Sequence, residues 1–305
     1  MTIGKPGSIA WLGDADNETI FGTSWLDTLN GGDGDDKIYG FEEADDITGG
    51  NGLDRIFGGP GDDTIRTGPI ATDFLSPTDN EGDFASGGSG NDIINGAYGE
   101  NIGEFLFGGP GHDKIYGGNG NDRIYGDEGD DELNAALGNN DIHGGSGDDT
   151  IIIETGGTDG NDLHGDAGDD FIQGGSGPDD IYGGDGNDIL EGRDGDDEIW
   201  GGAGNDIIRG GDVTGGSLMQ DVLRGGKGDD IIYGAFDINM SAGGGGTSYF
   251  VYGDEGDDSI WGKQNMNEYI WGGSGDDEIY GGPSNNIVHI NGNDGDDIIY
   301  PGEDP

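Results

Sequence analysis

Ile20, Leu29, Ile38, Ile47, Ile56 and Ile65 stand nine residues apart, each in the middle of a short run with polar or aromatic neighbours. The row continues through Ile94, Leu106, Ile115 and Ile124 and onward to Ile299. Alternation over so few residues predicts short strands whose middle side chain faces inward and whose flanking side chains face out. Between the strands lie stretches rich in glycine and aspartate, which predicts tight loops. A fixed period of this kind predicts a solenoid. Each unit is too short to fold alone and buries its apolar residue only by stacking on its neighbours.

A nine-residue frame runs from Gly13 to Tyr300 with few breaks. Twelve units match G-G-x-G-x-D-x-U-x, with U aliphatic, among them GGDGDDKIY at 31, GGNGLDRIF at 49 and GGAGNDIIR at 201. Five more, such as GDEGDDSIW at 253, lose only the second glycine. Residues 117–134, GGNGNDRIYGDEGDDELN, show two copies side by side. Glycine permits the left-handed and close-approach backbone that frees carbonyl oxygens to face a cation. Aspartate at position 6 adds a hard anionic oxygen.

Numbered from Gly13, odd and even units fall on opposite sides of such a solenoid. Position 6 of the even units is aspartate throughout: Asp27, Asp45, Asp63, Asp92, Asp113, Asp131, Asp149, Asp170, Asp188, Asp206, Asp230, Asp258, Asp277 and Asp297. The odd units read Glu18, Asp36, Asp54, Asp83, Glu104, Asp122, Asn140, Asn161, Asp179, Asp197, Asp221, Tyr249, Glu268 and Asn286. Insertions obey the same division, since the units longer than nine residues span 67–86, 96–107, 153–164, 210–224, 234–252, 262–271 and 281–291, all odd. The even edge is therefore expected to be an uninterrupted ladder of cation-binding loops, and the odd edge a ladder broken by protruding loops.

Outward position 9 differs too. On odd strands it is assigned to Phe21, Tyr39, Phe57, Ser86, Phe107, Tyr125, His143, His164, Tyr182, Trp200, Arg224, Tyr252, Trp271 and His289. On even strands it is mostly polar until Tyr233, Trp261, Tyr280 and Tyr300. An aromatic stripe is expected on the odd side, where stacking between strands outweighs a dedicated binding surface. Near the C-terminus the two readings are balanced, because aromatic residues coincide with inserted loops. Arg224, Tyr252, Trp271 and His289 are the candidate ligand-binding residues there, for a glycan or a cell-surface protein.

Charge changes the picture most. The 305 residues carry 65 acidic against 11 basic side chains, a formal net charge of -54. Unaided, such a chain is expected to stay disordered. The acidity disfavours nucleic acid, which needs a basic footprint. No apolar run approaches a membrane span. The start, MTIGKPGSIAWLGD, lacks the layout of a secretory signal peptide. There is no cysteine and there are 4 histidines, so oxygen-preferring cations remain as the charge partner. His112 sits at loop position 5. His143 and His164 are expected on consecutive odd turns, where membership of the stripe outweighs a weak shared transition-metal site. Neither H-E-x-x-H nor G-x-S-x-G occurs, and carboxylates committed to cations say nothing about acid–base work, so no enzyme is expected. A polysaccharide-modifying site on the inserted loops is a third, unsupported reading.

These motifs resemble the RTX (repeats-in-toxin) hemolysin-type calcium-binding repeats over almost the whole frame. The resemblance implies an all-β, right-handed parallel β-roll with two nine-residue units per turn. About 14 turns at ~4.8 Å would make a rod of about 65 Å. It implies a single domain over 13–300, with irregular ends at 1–12 and 301–305. Calcium is expected between loops one turn apart, on the order of 15–26 ions. Its ligands would be the even-unit aspartates together with Asp36, Asp54, Asp122, Asp179 and Asp197. Loop carbonyls would come from Gly32, Gly34, Gly118, Gly120, Gly145, Gly147, Gly184, Gly186, Gly202, Gly204, Gly226, Gly228, Gly273 and Gly275. The implied function is a secreted or cell-surface module that folds on binding calcium, a structural scaffold linked to type I secretion. It would be a monomeric rod or a part of a larger protein. An adhesin-like recognition module is the alternative. RTX exports usually carry a capping and secretion segment after the repeats, whereas PGEDP follows the last unit directly, so the export route stays open.

Overall fold

The computed structural model describes residues 7–68, 82–96, 103–154, 158–211, 220–234, 248–262, 267–282 and 288–302. The tips of all seven inserted units and Asn286 lie outside the described residues. Among the described residues there is no helix, and 29 strands run from β1 (Ala10–Leu12) to β29 (Ile298–Tyr300). The chain divides into two compact units, Met1–Glu154 and Thr155–Pro305.

In the first unit, strands of the even repeats run from β3 (Thr28–Asp33) to β15 (Thr150–Ile153) and form one parallel sheet, headed by β1. Strands of the odd repeats, from β2 (Thr19–Phe21) to β14 (Asp141–Ser146), form the other. Successive strands of the chain thus alternate between sheets, and hydrogen-bonded neighbours lie one full turn apart. Lys37, Ile38 and Tyr39 pair with Arg55, Ile56 and Phe57. The insertion at 67–86 leaves this register intact, since the next partners of Arg55, Ile56 and Phe57 are Phe84, Ala85 and Ser86. Residues 1–12, expected to be irregular, include β1, which pairs Ala10, Trp11 and Leu12 with Thr28, Leu29 and Asn30.

The second unit repeats the arrangement. Odd-repeat strands from β16 (Asp162–Ala167) to β28 (Val288–Asp294) form one parallel sheet, and even-repeat strands from β17 (Phe171–Gln173) to β29 form the other. Each unit is a parallel β-solenoid with two nine-residue repeats per turn.

The aliphatic row faces inward as its period requires, except in the last turn, where Ile299 is 39 % exposed. Ile38, Ile47, Ile56, Ile115, Ile124, Ile181 and Ile199 are all 0 % exposed. Each contributes about 1.5–3 kcal/mol of burial, but most strands offer only one such side chain. Beside this narrow row lies a second buried row made of carboxylates, which apolar packing alone cannot stabilise.

Candidate metal sites

The loop owes its shape to glycine in two distinct ways. Positions 2 and 4 need a left-handed backbone: φ is +119° at Gly184 and +147° at Gly186. The same holds at every loop glycine expected to offer a carbonyl, from +88° at Gly118 to +147° at Gly186. Where the second glycine is lost, Asp127, Asp166, Asp254 and Asn293 adopt φ of 72–79° instead, a region that Asp and Asn tolerate better than other side chains. Carbonyl oxygens of Gly184 and Gly186 point at Gly202 and Gly204 of the following turn, closely enough to exclude a Cβ there.

Position 1 is different, because its φ is not left-handed. Here glycine is needed for space. A Cβ on Gly183 would lie within 3 Å of both Asp188 Oδ2 and the carbonyl oxygen of Gly201. The same two kinds of oxygen converge beside Gly40, Gly58, Gly126, Gly201 and Gly253 on the even edge and beside Gly31, Gly49 and Gly192 on the odd edge.

Position 6 supplies those carboxylates. The side chains at this position are buried on both edges, from Asp27 to Asp277 on the even side and from Asp36 to Glu268 on the odd side, while Asp297 in the last turn is half-buried. Their two oxygens have separate fates. Oδ1 accepts the backbone N–H of the position-6 residue one turn earlier, as in Asp170 N–H to Asp188 at 2.8 Å and Asp188 N–H to Asp206 at 2.9 Å. The first unit has the same ladder, with Asp45 donating to Asp63 and Asp113 to Asp131, each at 2.7 Å. Oδ2 of Asp36, Asp45, Asp63, Asp92, Asp113, Asp122, Asp131, Asp188, Asp197, Asp206, Asp230, Asp258 and Asp277 is buried and accepts no hydrogen bond.

Two expected ligands depart from this. In Asp27 both oxygens are engaged, one by the N–H of Ile9 and the other by the N–H and hydroxyl of Thr23. In Asp179, Oδ1 accepts from Asn161 and Oδ2 from the N–H of Gly175 at 2.7 Å. Asparagine at position 6 keeps the ladder and answers its own second atom. Asn140 Oδ1 takes the N–H of Asp122 at 3.0 Å, while its amide donates to the carbonyl of Gly138 at 3.2 Å. Tyr249 fills the position with a phenol, 1 % exposed, whose hydroxyl reaches the space beside Gly234.

Without a counter-charge these carboxylates resist ionisation. Burial pushes Asp131 up to about 7, against the lowering bond from the N–H of Asp113, and the charges of Asp113, Asp127 and Asp130 add to the rise. Burial likewise raises Asp206 to about 7, Asp230 to about 8 and Asp197 to about 9. Each value marks a charged form that lacks its partner.

The outer aromatic residues stack as the repeat implies. Phe21, Tyr39 and Phe57 follow one another at 5.4 and 5.1 Å, and Phe107, Tyr125 and His143 at 4.9 and 5.1 Å. Ser86 leaves a gap that Phe84, two residues earlier on the same face, closes at 5.4 Å on both sides. In the second unit His164, Tyr182 and Trp200 stack at 4.6 and 4.4 Å.

Of the four candidate ligand-binding residues, three share a column: Arg224 lies over the Tyr252 ring at 4.1 Å, and Tyr252 stacks on Trp271 at 4.7 Å. His289 does not join them. The inserted repeat shifts the phase, so Asn291 pairs with Trp271, and His289 stacks on Tyr269 at 5.1 Å in a neighbouring column headed by Phe250. Tyr252 and Trp271 are 4° from parallel. Their faces are turned to one another along the column, which leaves ring edges rather than faces for solvent.

A Cβ-sized space lined by a buried carboxylate oxygen without a partner and a loop carbonyl fits a hard, oxygen-ligated divalent cation such as calcium. Position-6 aspartates and the carbonyls of the next loop would hold it, and it would supply the missing positive charge. The comparison with known families agrees. The profile of the RTX calcium-binding nonapeptide repeat matches residues 12–42, 39–69, 78–102, 98–133, 125–152, 155–190, 182–213, 220–240, 250–265, 264–289 and 288–304. The chain belongs to the family of RTX calcium-binding repeat proteins, and such repeats carry multiple calcium ions. No curated protein matches the chain.

Proposed function

We propose that the chain is a calcium-folded scaffold module of an extracellular or cell-surface protein. The observation that carries this reading is the row of buried, unpartnered Oδ2 atoms on both edges. A charged carboxylate in that state is tolerated above neutral pH only if an ion arrives with the fold, so there folding and binding are one event. Extracellular calcium modules bind at roughly 10⁻⁴–10⁻³ M, which would keep the chain open where calcium is scarce and close it outside. Asp36, Asp45, Asp63, Asp92, Asp113, Asp122, Asp131, Asp188, Asp197, Asp206, Asp230, Asp258 and Asp277 are the proposed ligands best supported by their geometry. The ring columns support a scaffold over a sugar platform, because their faces are spent on one another.

The test is a calcium titration of metal-free protein, followed by circular dichroism and hydrodynamic radius. The β-signal should appear, and the radius contract, across the same calcium range. A metal-free chain that stays compact and β-rich at neutral pH and low ionic strength overturns the proposal.

A further inference from the structure

Next to each position-6 aspartate of the even edge from Asp63 onward stands an exposed residue at position 5, and these side chains form a second ladder. Asp169 Oδ1 accepts the N–H of Asn187 at 2.8 Å, Asn187 that of Asn205 at 2.9 Å, and Asn205 that of Asp229 at 3.0 Å. Asp229 continues the run to Asp257 at 3.0 Å. In the first unit the run starts at Asp62 and includes His112, whose Nδ1 accepts the N–H of Asp130 at 2.8 Å. The two ladders point in opposite directions. At position 6 the acceptor belongs to the later turn, and at position 5 to the earlier one. Two adjacent N–H groups of one loop are therefore clamped from both neighbouring turns.

The residue types follow the bonding. Position 6 of the even edge is aspartate throughout, as a cation ligand requires, whereas position 5 from Asp62 onward is aspartate, asparagine or histidine. Those three share an acceptor atom at the same reach and do not share a charge. Earlier even repeats have Leu26 and Ala44 there and cannot accept. On the odd edge the same bond occurs only in short runs among the described residues: from Asn17 through Asp35 to Leu53, from Asn121 to Asn139, and from Asp196 to Gln220.

We propose that the exposed position-5 side chains of the even edge are positioning residues that couple neighbouring calcium loops: each fixes the loop of the next turn so that one occupied site prepares the adjacent one. This rests on the calcium reading of position 6. It makes the acceptor, and not the carboxylate charge, the required property at position 5.

The experiment compares Asn187→Ala plus Asn205→Ala with Asn187→Asp plus Asn205→Asp, titrated with calcium and followed by circular dichroism, with bound calcium counted by atomic emission. The alanine pair should bind as many ions as the parent at saturation, with a midpoint raised about threefold and a shallower slope. The aspartate pair should restore both midpoint and slope. If the alanine pair matches the parent, or the aspartate pair behaves like the alanine pair, the coupling role is overturned. Asp188→Asn, run alongside, reads the other question: an unchanged ion count in that variant overturns the calcium reading of position 6, whichever way the position-5 variants fall.

Discussion

Within each compact unit the two edges are built from the same nine-residue repeat and differ in what they ask of a cation. On the even edge every position-6 residue is aspartate, and from Asp45 onward the described loops keep a uniform length. From the run Arg55–Pro60 onward, the strands leading into this edge extend through the first three loop residues, and that run pairs Gly59 with Gly88. The odd edge tolerates every insertion and substitutes asparagine, glutamate and tyrosine. Asn140 shows how it does so, because its amide donates to Gly138 and needs no ion. On the proposed calcium reading, the even edge would be held by metal from Asp45 onward, and the odd edge would mix metal sites with self-sufficient loops.

Acidity offers the largest perturbation of that comparison. With the ion absent, aspartates raised from 3.8 to about 6–8, such as Asp63, Asp131 and Asp230, bind more protons in the fold than in the coil. Their contribution to stability is then fully present below the ordinary carboxylate value and is lost as pH climbs through 6–8. Metal-free protein should be more β-rich at pH 5 than at pH 8, by circular dichroism, with most of the gain from the aspartate-only edge. A β-signal that grows with pH in the metal-free chain contradicts this.

A smaller effect separates the edges directly. Asp188→Asn with Asp206→Asn should remove about two ions and raise the calcium midpoint about tenfold, equivalent to about 1.4 kcal/mol. Asn140→Asp should do the reverse on the odd edge, adding about one ion at saturation while weakening the metal-free chain. Calcium counted per chain after gel filtration decides both. An Asn140→Asp variant that binds no more calcium than the parent would erase the distinction between edges.

The smallest effect concerns the rings. Tyr252→Ala with Trp271→Ala should cost about 0.5–1.5 kcal/mol per lost stacked pair, beyond area, in urea unfolding at saturating calcium. Bound calcium should not change. A fall in ion count would mean that the ring column and the carboxylate row are not independent.

Much of this was legible in the sequence, because a strict period determines which residues share a face. The inward row from Ile20 and the buried aspartates of both edges follow from counting in nines. What escaped counting lies where a side chain answers a local need. Thr23 satisfies Asp27, which no period reveals, since threonine at position 2 reads simply as a degenerate glycine. The insertion before β28 shifts the phase by two residues, so His289 lands beside Tyr269 instead of Trp271. The position-5 ladder stayed hidden because exposed Asp and Asn look like solvated loop residues until both ends of each bond are placed.

Most pairing partners in the first unit are only 18 residues apart, as Asp27 and Asp45 are, and those in the second lie between 18 apart, as Asp188 and Asp206 are, and 28 apart, as Asp230 and Asp258 are. Closing so short a span costs little chain entropy, and the cost is nearly the same for every turn that is added. Ordering can therefore spread from neighbour to neighbour at a pace set by local encounters instead of by overall length. A polypeptide of this design need not be finished, or wholly on one side of a barrier, before its leading turns are set.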